Sequence, residues 1–140
     1  MDDLDRQILD ILRRDARTPY TEIAEQVGTS EGTVRNRVER LLEDGIIERF
    51  TVSTRTGNIK AMIEVSVKVN VHTTEISETV AEWDQVDFVW QVSGEEDVVL
   101  WVDAADTGAV NQLITRAREM DEVENTKTRL ILDERLGRSA

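Results

Sequence analysis

Residues 18–45 read TPYTEIAEQVGTSEGTVRNRVERLLEDG, and the helix punctuation in that stretch decides the fold of the first third of the chain. Thr18-Pro19 is a helix start, with Thr18 as cap and Pro19 at the first helical position, where no N–H is needed. Ile23, Ala24 and Val27 face inward, and Gly28 stops this short helix. After Thr29, Ser30 caps another helix that runs to Asp44. Its inner face is Val34, Val38, Leu41 and Leu42, and Gly45 supplies the left-handed position after its end. Two helices joined by a tight Gly28-Thr29 turn form a helix-turn-helix pattern.

Upstream, Asp2 caps an earlier helix with Asp5 in its first turn, where negative charge meets the positive helix end. Leu4, Ile8, Ile11 and Leu12 give that helix one apolar face. Downstream, Ile46–Val52 reads as a strand, so the segment as a whole has a winged helix-turn-helix pattern. The polar run Ser53-Thr54-Arg55-Thr56-Gly57-Asn58 marks a linker, which places a winged helix-turn-helix domain at 1–55 and a second domain at 56–140.

The second domain opens with strict alternation from Lys60 to Val71: Ala61, Ile63, Val65, Val67, Val69 and Val71 on one face, Lys60, Met62, Glu64, Ser66, Lys68 and Asn70 on the other. A helix with Ile76, Val80 and Trp83 inward comes next, then strands at Val86–Ser93 and Val98–Asp103 around the loop Gly94-Glu95-Glu96-Asp97. A helix presenting Val110, Leu113, Ile114 and Ala117 and a last strand over Val123–Leu132 complete the order β-α-β-β-α-β. The fold class is therefore α+β, a winged helix-turn-helix followed by a ferredoxin-like βαββαβ domain. Met62, Val89, Trp101 and Ile131 fall at outward positions of the sheet, an apolar patch that predicts association sheet against sheet.

Composition narrows the chemistry. The 140 residues contain no Cys and a single His, His72, which excludes thiolate chemistry and argues against a histidine metal cluster or a Ser-His-Asp triad. No metal site or catalytic group is expected. There is no apolar leader and no run of ~18 apolar residues, so the expectation is a soluble cytoplasmic protein without a membrane partner. His72 reads as a surface turn residue, and Trp83, Trp90 and Trp101 as core or interface.

The net charge is −12, with 29 acids against 17 bases, of which 14 are Arg and 3 Lys. The acids are scattered evenly, as on a surface kept hydrated in high salt, the halophile pattern. The two domains differ in charge: residues 1–55 carry −3 and residues 56–140 carry −9. Such charge argues against a polyanionic partner unless the positive groups are concentrated. The third helix holds the only such concentration, Arg35, Arg37 and Arg40. With Val34, Val38 and Leu41 inward, Glu31, Thr33, Arg35, Asn36, Arg37 and Arg40 lie on its flanks or outer face, with Arg37 doubling as a candidate internal strut. A helix of this length fits the major groove, where Arg suits guanine and Asn suits adenine. The hydroxyls of Thr18, Ser30 and Thr33 and the helix N-terminus suit phosphates. Double-stranded DNA is the expected partner.

The set Asp2-x-x-Asp5-x-x-Ile8-Leu9, Arg17-Thr18, Glu22-Ile23-Ala24, Ser30-x-x-x-Val34-x-x-Arg37-Val38-x-Arg40-Leu41 and Gly45-Ile46-Ile47 resembles the N-terminal half of the Lrp/AsnC, or feast/famine, transcriptional regulators. The second half resembles their effector and oligomerisation domain, with Gly94-x-x-Asp97 and Thr126-x-Thr128. The resemblance implies homodimers assembling into tetramers or octamers and, in place of a cofactor, a small effector, often an amino acid, held between ferredoxin-like domains. It maps the effector loop onto Gly94 and Asp97. Glu95, Glu96 and Asp97 offer charge for an ammonium and Thr126 and Thr128 offer hydroxyls, whereas a carboxylate finds only Arg129 or backbone N–H groups. A hydrophilic hairpin is the plainer reading of the loop. Two rivals differ in class: a tetrapyrrole-carboxylate decarboxylase of similar architecture, poorly matched by one His and −9, and a sensor or scaffold whose winged helix binds another protein.

Overall fold

The computed structural model describes residues 1–137; the end of the 56–140 domain, residues 138–140, lies outside them. The chain forms two compact units, Met1–Thr54, with which the chain from Arg135 is grouped, and Arg55–Glu134.

The first unit contains α1 (Asp3–Arg14), α2 (Tyr20–Val27) and α3 (Glu31–Glu43). Helix α1 starts in a reciprocal capping box, in which the Asp2 carboxylate accepts from the Asp5 N–H and the Asp5 carboxylate from the Asp2 N–H. Ile8 and Leu12 from α1, Ile23 and Ala24 from α2, and Val34 and Val38 from α3 meet in one core. Gly28, at φ +72°, lets α2 end and turn within two residues of the Ser30 cap of α3. The last turn of α3 closes as a Schellman motif: the Ile46 N–H donates to Leu41 O and the Gly45 N–H to Leu42 O.

Three expectations for this unit need correction. Helix α2 begins at Tyr20 behind Pro19, and Thr18 does not cap it; its hydroxyl donates back to Asp15 O at 2.8 Å. Leu42 is exposed, leaving Val34, Val38 and Leu41 as the inner face. Residues 46–52 form no strand. An isolated extended segment has no ladder of its own to join, and Ile46, Phe50 and Val52 lie open to solvent.

The second unit contains β1 (Ile59–Val67), α4 (Thr73–Ala81), β2 (Val86–Gln91), β3 (Val98–Ala104), α5 (Thr107–Arg118) and β4 (Val123–Leu130). The sheet is antiparallel in the order β2-β3-β1-β4. Ala61, Ile63 and Val65 of β1 and Val98, Leu100 and Val102 of β3 point to one side, where Ile76 and Val80 of α4 and Val110, Leu113 and Ala117 of α5 cover them. Trp83 belongs to this core, with the Arg116 guanidinium 4.4 Å from its ring centroid. Strand β1 stops at Val67 rather than Val71. Asn70 takes φ +70°, a left-handed conformation that Asn tolerates, and the chain turns there, leaving Val69 86% exposed.

The open side of the sheet also departs from simple alternation. Val86 pairs with Val102 and Phe88 with Trp101, so Asp87 is an extra residue in β2. That bulge reverses the faces of everything after it. Val89 sits opposite Leu100 and packs on the core, and Phe88 and Trp90 point out instead. Phe88 and Trp90 are stacked at 5.8 Å between ring centroids, and Trp90 meets Trp101 edge-on at 6.2 Å. Met62 and Ile131 keep their outward positions.

Candidate nucleic-acid interface and ligand site

The helix-turn-helix presents α3 with both flanks tied to neighbouring helices. On one flank Arg35 pairs with Glu31 one turn earlier (Nη2–Oε1 2.7 Å), and its guanidinium lies 5.6 Å from the ring centroid of Tyr20 in α2. On the other, Arg37 donates to a carboxylate oxygen of Asp2 and, at 3.0 Å, to Asp5 Oδ1, and Arg40 Nη2 lies 3.2 Å from both oxygens of Asp5. Asp5 is 1% exposed, the only buried carboxylate among the described residues. Asp2 titrates well below its ordinary range, at about 2, mainly because the Arg37 hydrogen bond favours its charged form. Asp5 is also lowered, chiefly by the Asp2 backbone N–H, with burial opposing.

Of the residues singled out in the sequence, Arg37 is therefore a strut between α1 and α3, with only 25% of its side chain exposed. Arg35 and Arg40 are both ion-paired and half exposed. Glu31 and Asn36 are exposed and Thr33 is half-buried, its N–H and hydroxyl both bonded to Ser30 Oγ. Thr33, Asn36 and Arg40 fall at i, i+3 and i+7, one stripe along the helix. Thr18 is half-buried in the turn before α2, beside the exposed Arg17. Arg17 was legible: Arg13, Arg14 and Arg17 are a second basic concentration, outside the third helix, and an eye fixed on that helix passes over it.

In the second unit the loop 94–97 is held by the sheet. Gly94 takes φ +136°. The Asp97 N–H donates to Val65 O at 3.0 Å, and Asp97 Oδ2 accepts from the Val67 N–H at 2.9 Å. That carboxylate is thus already engaged by the chain's own backbone. Lys127 pairs with Glu96 at 2.6 Å and approaches Glu95 at 3.9 Å. The contact lowers the Glu96 pKa and raises that of Lys127. Thr126 and Thr128 lie on the other side of the sheet, since they pair in register with Val65 and Ile63 and share their helix-covered face. Thr126 is buried and accepts from Arg118 Nε at 2.9 Å. The sheet therefore divides the sequence-derived set: Glu95 and Glu96 stand with Lys127, whereas Thr126, with Arg118, and the exposed Thr128 lie on the opposite face. Arg129 is on the open face, 3.3 Å from Glu64, away from the threonines. Arg118 and Lys127 are the cations that sequence reasoning missed for a carboxylate. Both were visible as basic residues in the last turn of a helix and in an outward strand position. No cluster of His, Asp or Glu suited to a metal occurs among the described residues, and none of their helices is long and apolar enough to cross a membrane.

Comparison with known proteins agrees with this two-part architecture. Residues 1–42 match the AsnC-type helix-turn-helix domain and residues 60–139 the Lrp/AsnC ligand-binding domain. The transcriptional regulator LysM of Sulfurisphaera tokodaii is 35% identical over 133 residues, covering 94% of this chain and 95% of the relative. The leucine response regulatory protein LrpA of Mycobacterium tuberculosis superposes with a TM-score of 0.85 at 25% identity, over 98% of this chain and 96% of that one. A Neisseria meningitidis transcriptional regulator, solved as its L-Met complex, shares the fold with a TM-score of 0.79 at 22% identity, over 100% and 96% of the two chains. The chain belongs to the Lrp/AsnC family of transcriptional regulators. It is a DNA-binding regulator with a small-molecule ligand domain and not an enzyme, which leaves the tetrapyrrole reading without support.

Proposed function

We propose that the chain reads a specific duplex with the N-terminal turn and outer stripe of α3, as a homodimer that assembles further to a tetramer or octamer. The observation that carries this reading is the presentation of α3. Both its flanks are pinned by ion pairs and a ring contact, while Thr33, Asn36 and the free edge of Arg40 remain at the surface. Asn36 is the candidate for adenine; Arg35 and Arg40, each already carrying a carboxylate, suit backbone phosphates better than guanine edges. Arg17 and the hydroxyl pair of Ser30 and Thr33, which keeps one proton free, add donors for phosphates, whereas the N–H and hydroxyl of Thr18 are both taken by Asp15 O. Such a partner puts the protein in the compartment that holds the chromosome.

The aromatic face of Phe88, Trp90 and Trp101, with Met62 and Ile131, supports association through the open side of the sheet. Paired recognition helices would then address half-sites about one turn apart on one side of the duplex. An amino acid is the proposed effector, as the Neisseria complex with L-Met suggests. In this chain the acids Glu95 and Glu96 and the cation Lys127, gathered on one side of the sheet, supply both signs a zwitterion needs. An effector changes DNA affinity only as far as it binds two arrangements of the assembly differently.

The test is selection of a duplex from a random pool by the wild-type chain, followed by binding of Asn36→Ala and Arg35→Ala to it. Asn36→Ala is expected to weaken binding and relax the preference at one base pair, by a factor of about ten. Arg35→Ala is expected to weaken all sequences alike. Unchanged binding by both, with an unchanged oligomer, favours the protein-binding scaffold instead.

A further inference from the structure

The ion cluster at the start of α1 has more connections than a helix cap requires. A carboxylate offers about four acceptor positions, and in Asp5 all are used. Oδ1 accepts from Arg37 Nη1 at 3.0 Å and Arg40 Nη2 at 3.2 Å; Oδ2 accepts from the Asp2 N–H at 2.8 Å and again from Arg40 Nη2 at 3.2 Å. The capping box needs only the Asp2 bond. The rest is spent on two arginines, one turn apart on α3, that converge on this one carboxylate of α1.

The two arginines are used differently. Arg37 is absorbed into the cluster, bonded to Asp2 as well as Asp5. Arg40 gives Asp5 only its Nη2, and half of its side chain is exposed. Its Nε and Nη1 have no partner among the described residues. Arg40 also lies on the same stripe of α3 as Thr33 and Asn36.

We propose that Asp5 is a positioning residue for DNA binding, holding Arg40 by one edge so that the opposite edge is already aimed at a phosphate beside Asn36. A free arginine must surrender its rotamer freedom when it takes a phosphate, whereas one fixed by a buried carboxylate has surrendered it before DNA arrives. The planar fork of guanidinium N–H groups makes this two-sided use possible, and an ammonium offers no such second edge. The negative charge of Asp5 costs little toward the polyanion, because two guanidiniums cover it and water barely reaches it. The inference rests on the reading of α3 as the recognition helix.

General electrostatics and positioning give opposite signs for the same substitution. Asp5→Asn removes a negative charge from the DNA-binding unit, so charge alone tightens binding. Positioning predicts that binding to the selected duplex weakens about fivefold, the scale of the ordering cost of one long side chain, and that the plot of log K against log salt becomes shallower by about 0.9. Asp10→Asn, an exposed position on α1, is the charge control and should bind slightly tighter with the slope unchanged. Asp5→Asn that is folded by dichroism and binds as tightly as wild type overturns the proposal. Should it fail to fold, Arg40→Lys decides: the charge is kept, so weaker binding with a shallower slope supports positioning and unchanged binding overturns it. Asn36→Ala is measured alongside. If it weakens binding while Asp5→Asn and Arg40→Lys do not, only the positioning inference falls. If Asn36→Ala and Arg40→Ala are both silent, the recognition-helix reading falls with it.

Discussion

Asp2 carries two duties at once, as cap of α1 and as counter-ion of Arg37, and both favour its ionised form. Folding therefore lowers its pKa from 3.8 to about 2 and lowers that of Asp5 as well. A carboxylate with a depressed folded-state pKa stabilises the fold fully above its unfolded value and loses that contribution as pH falls through the folded one. Thermal unfolding followed by dichroism should hold steady above about pH 5 and drop between about pH 4 and pH 2. In Asp2→Asn the drop should be smaller and the neutral-pH transition lower. Equal acid sensitivity in the two proteins would count against the account. Arg37 shows how far residue types carry without coordinates. Its presence on a helix flank was legible, as was its alternative use as a strut, but which carboxylates it meets depends on the packing of α1 against α3, thirty-odd positions away in sequence.

At the scale of elements, the helices were legible because their signals are local. Asp2, Ser30, Gly28 and Gly45 each set a boundary through a bond or a dihedral formed within a few residues. Strands need partners that local sequence does not supply. Residues 46–52 have the composition of a strand but no neighbour to pair with, and β2 starts where expected but ends at Gln91 rather than Ser93 and has the wrong parity, because the extra Asp87 turns every later side chain over. The site suffered in the same way: Thr126 and Thr128 were grouped with the acidic loop by likeness, and register put them across the sheet from Glu95 and Glu96. The bulge makes a sharp prediction. Deleting Asp87 leaves Val86 inward and Phe88 outward in regular alternation, so near-ultraviolet dichroism and oligomer size should stay close to wild type. Deleting Val89 instead drives Trp90 into a space shaped for valine, an overpacking that should cost about 1–3 kcal/mol or more. Indifference to both deletions would mean that the faces are not set as described.

For the molecule as a whole, charge is the dominant fact. A net −12 divided as −3 and −9 leaves the ligand domain far more anionic than the DNA-binding domain. Its self-repulsion must be screened or tolerated. At 1 M salt the Debye length is about 3 Å, so most of that repulsion vanishes, whereas the short contacts in the Asp5 cluster persist. The unfolding temperature should therefore rise with salt, most steeply for the second unit, and far-UV dichroism across a salt series reads this directly. Full stability in dilute buffer would remove the case for a high-salt habitat. DNA affinity in the same series should peak where screening has stabilised the fold but has not yet dissolved the phosphate contacts.

The three indoles occupy unlike surroundings, and each therefore answers to a different event. Trp83 is packed in the core beneath the Arg116 guanidinium, whereas Trp90 and Trp101 stand on the side of the sheet away from the helices. Emission from the first is an internal reference that changes only on unfolding; emission from the other two shifts to the blue when another surface excludes water from them. The chain so carries its own optical gauge for the proposed subunit association, readable without a label and separable from denaturation by replacing Trp83 with phenylalanine.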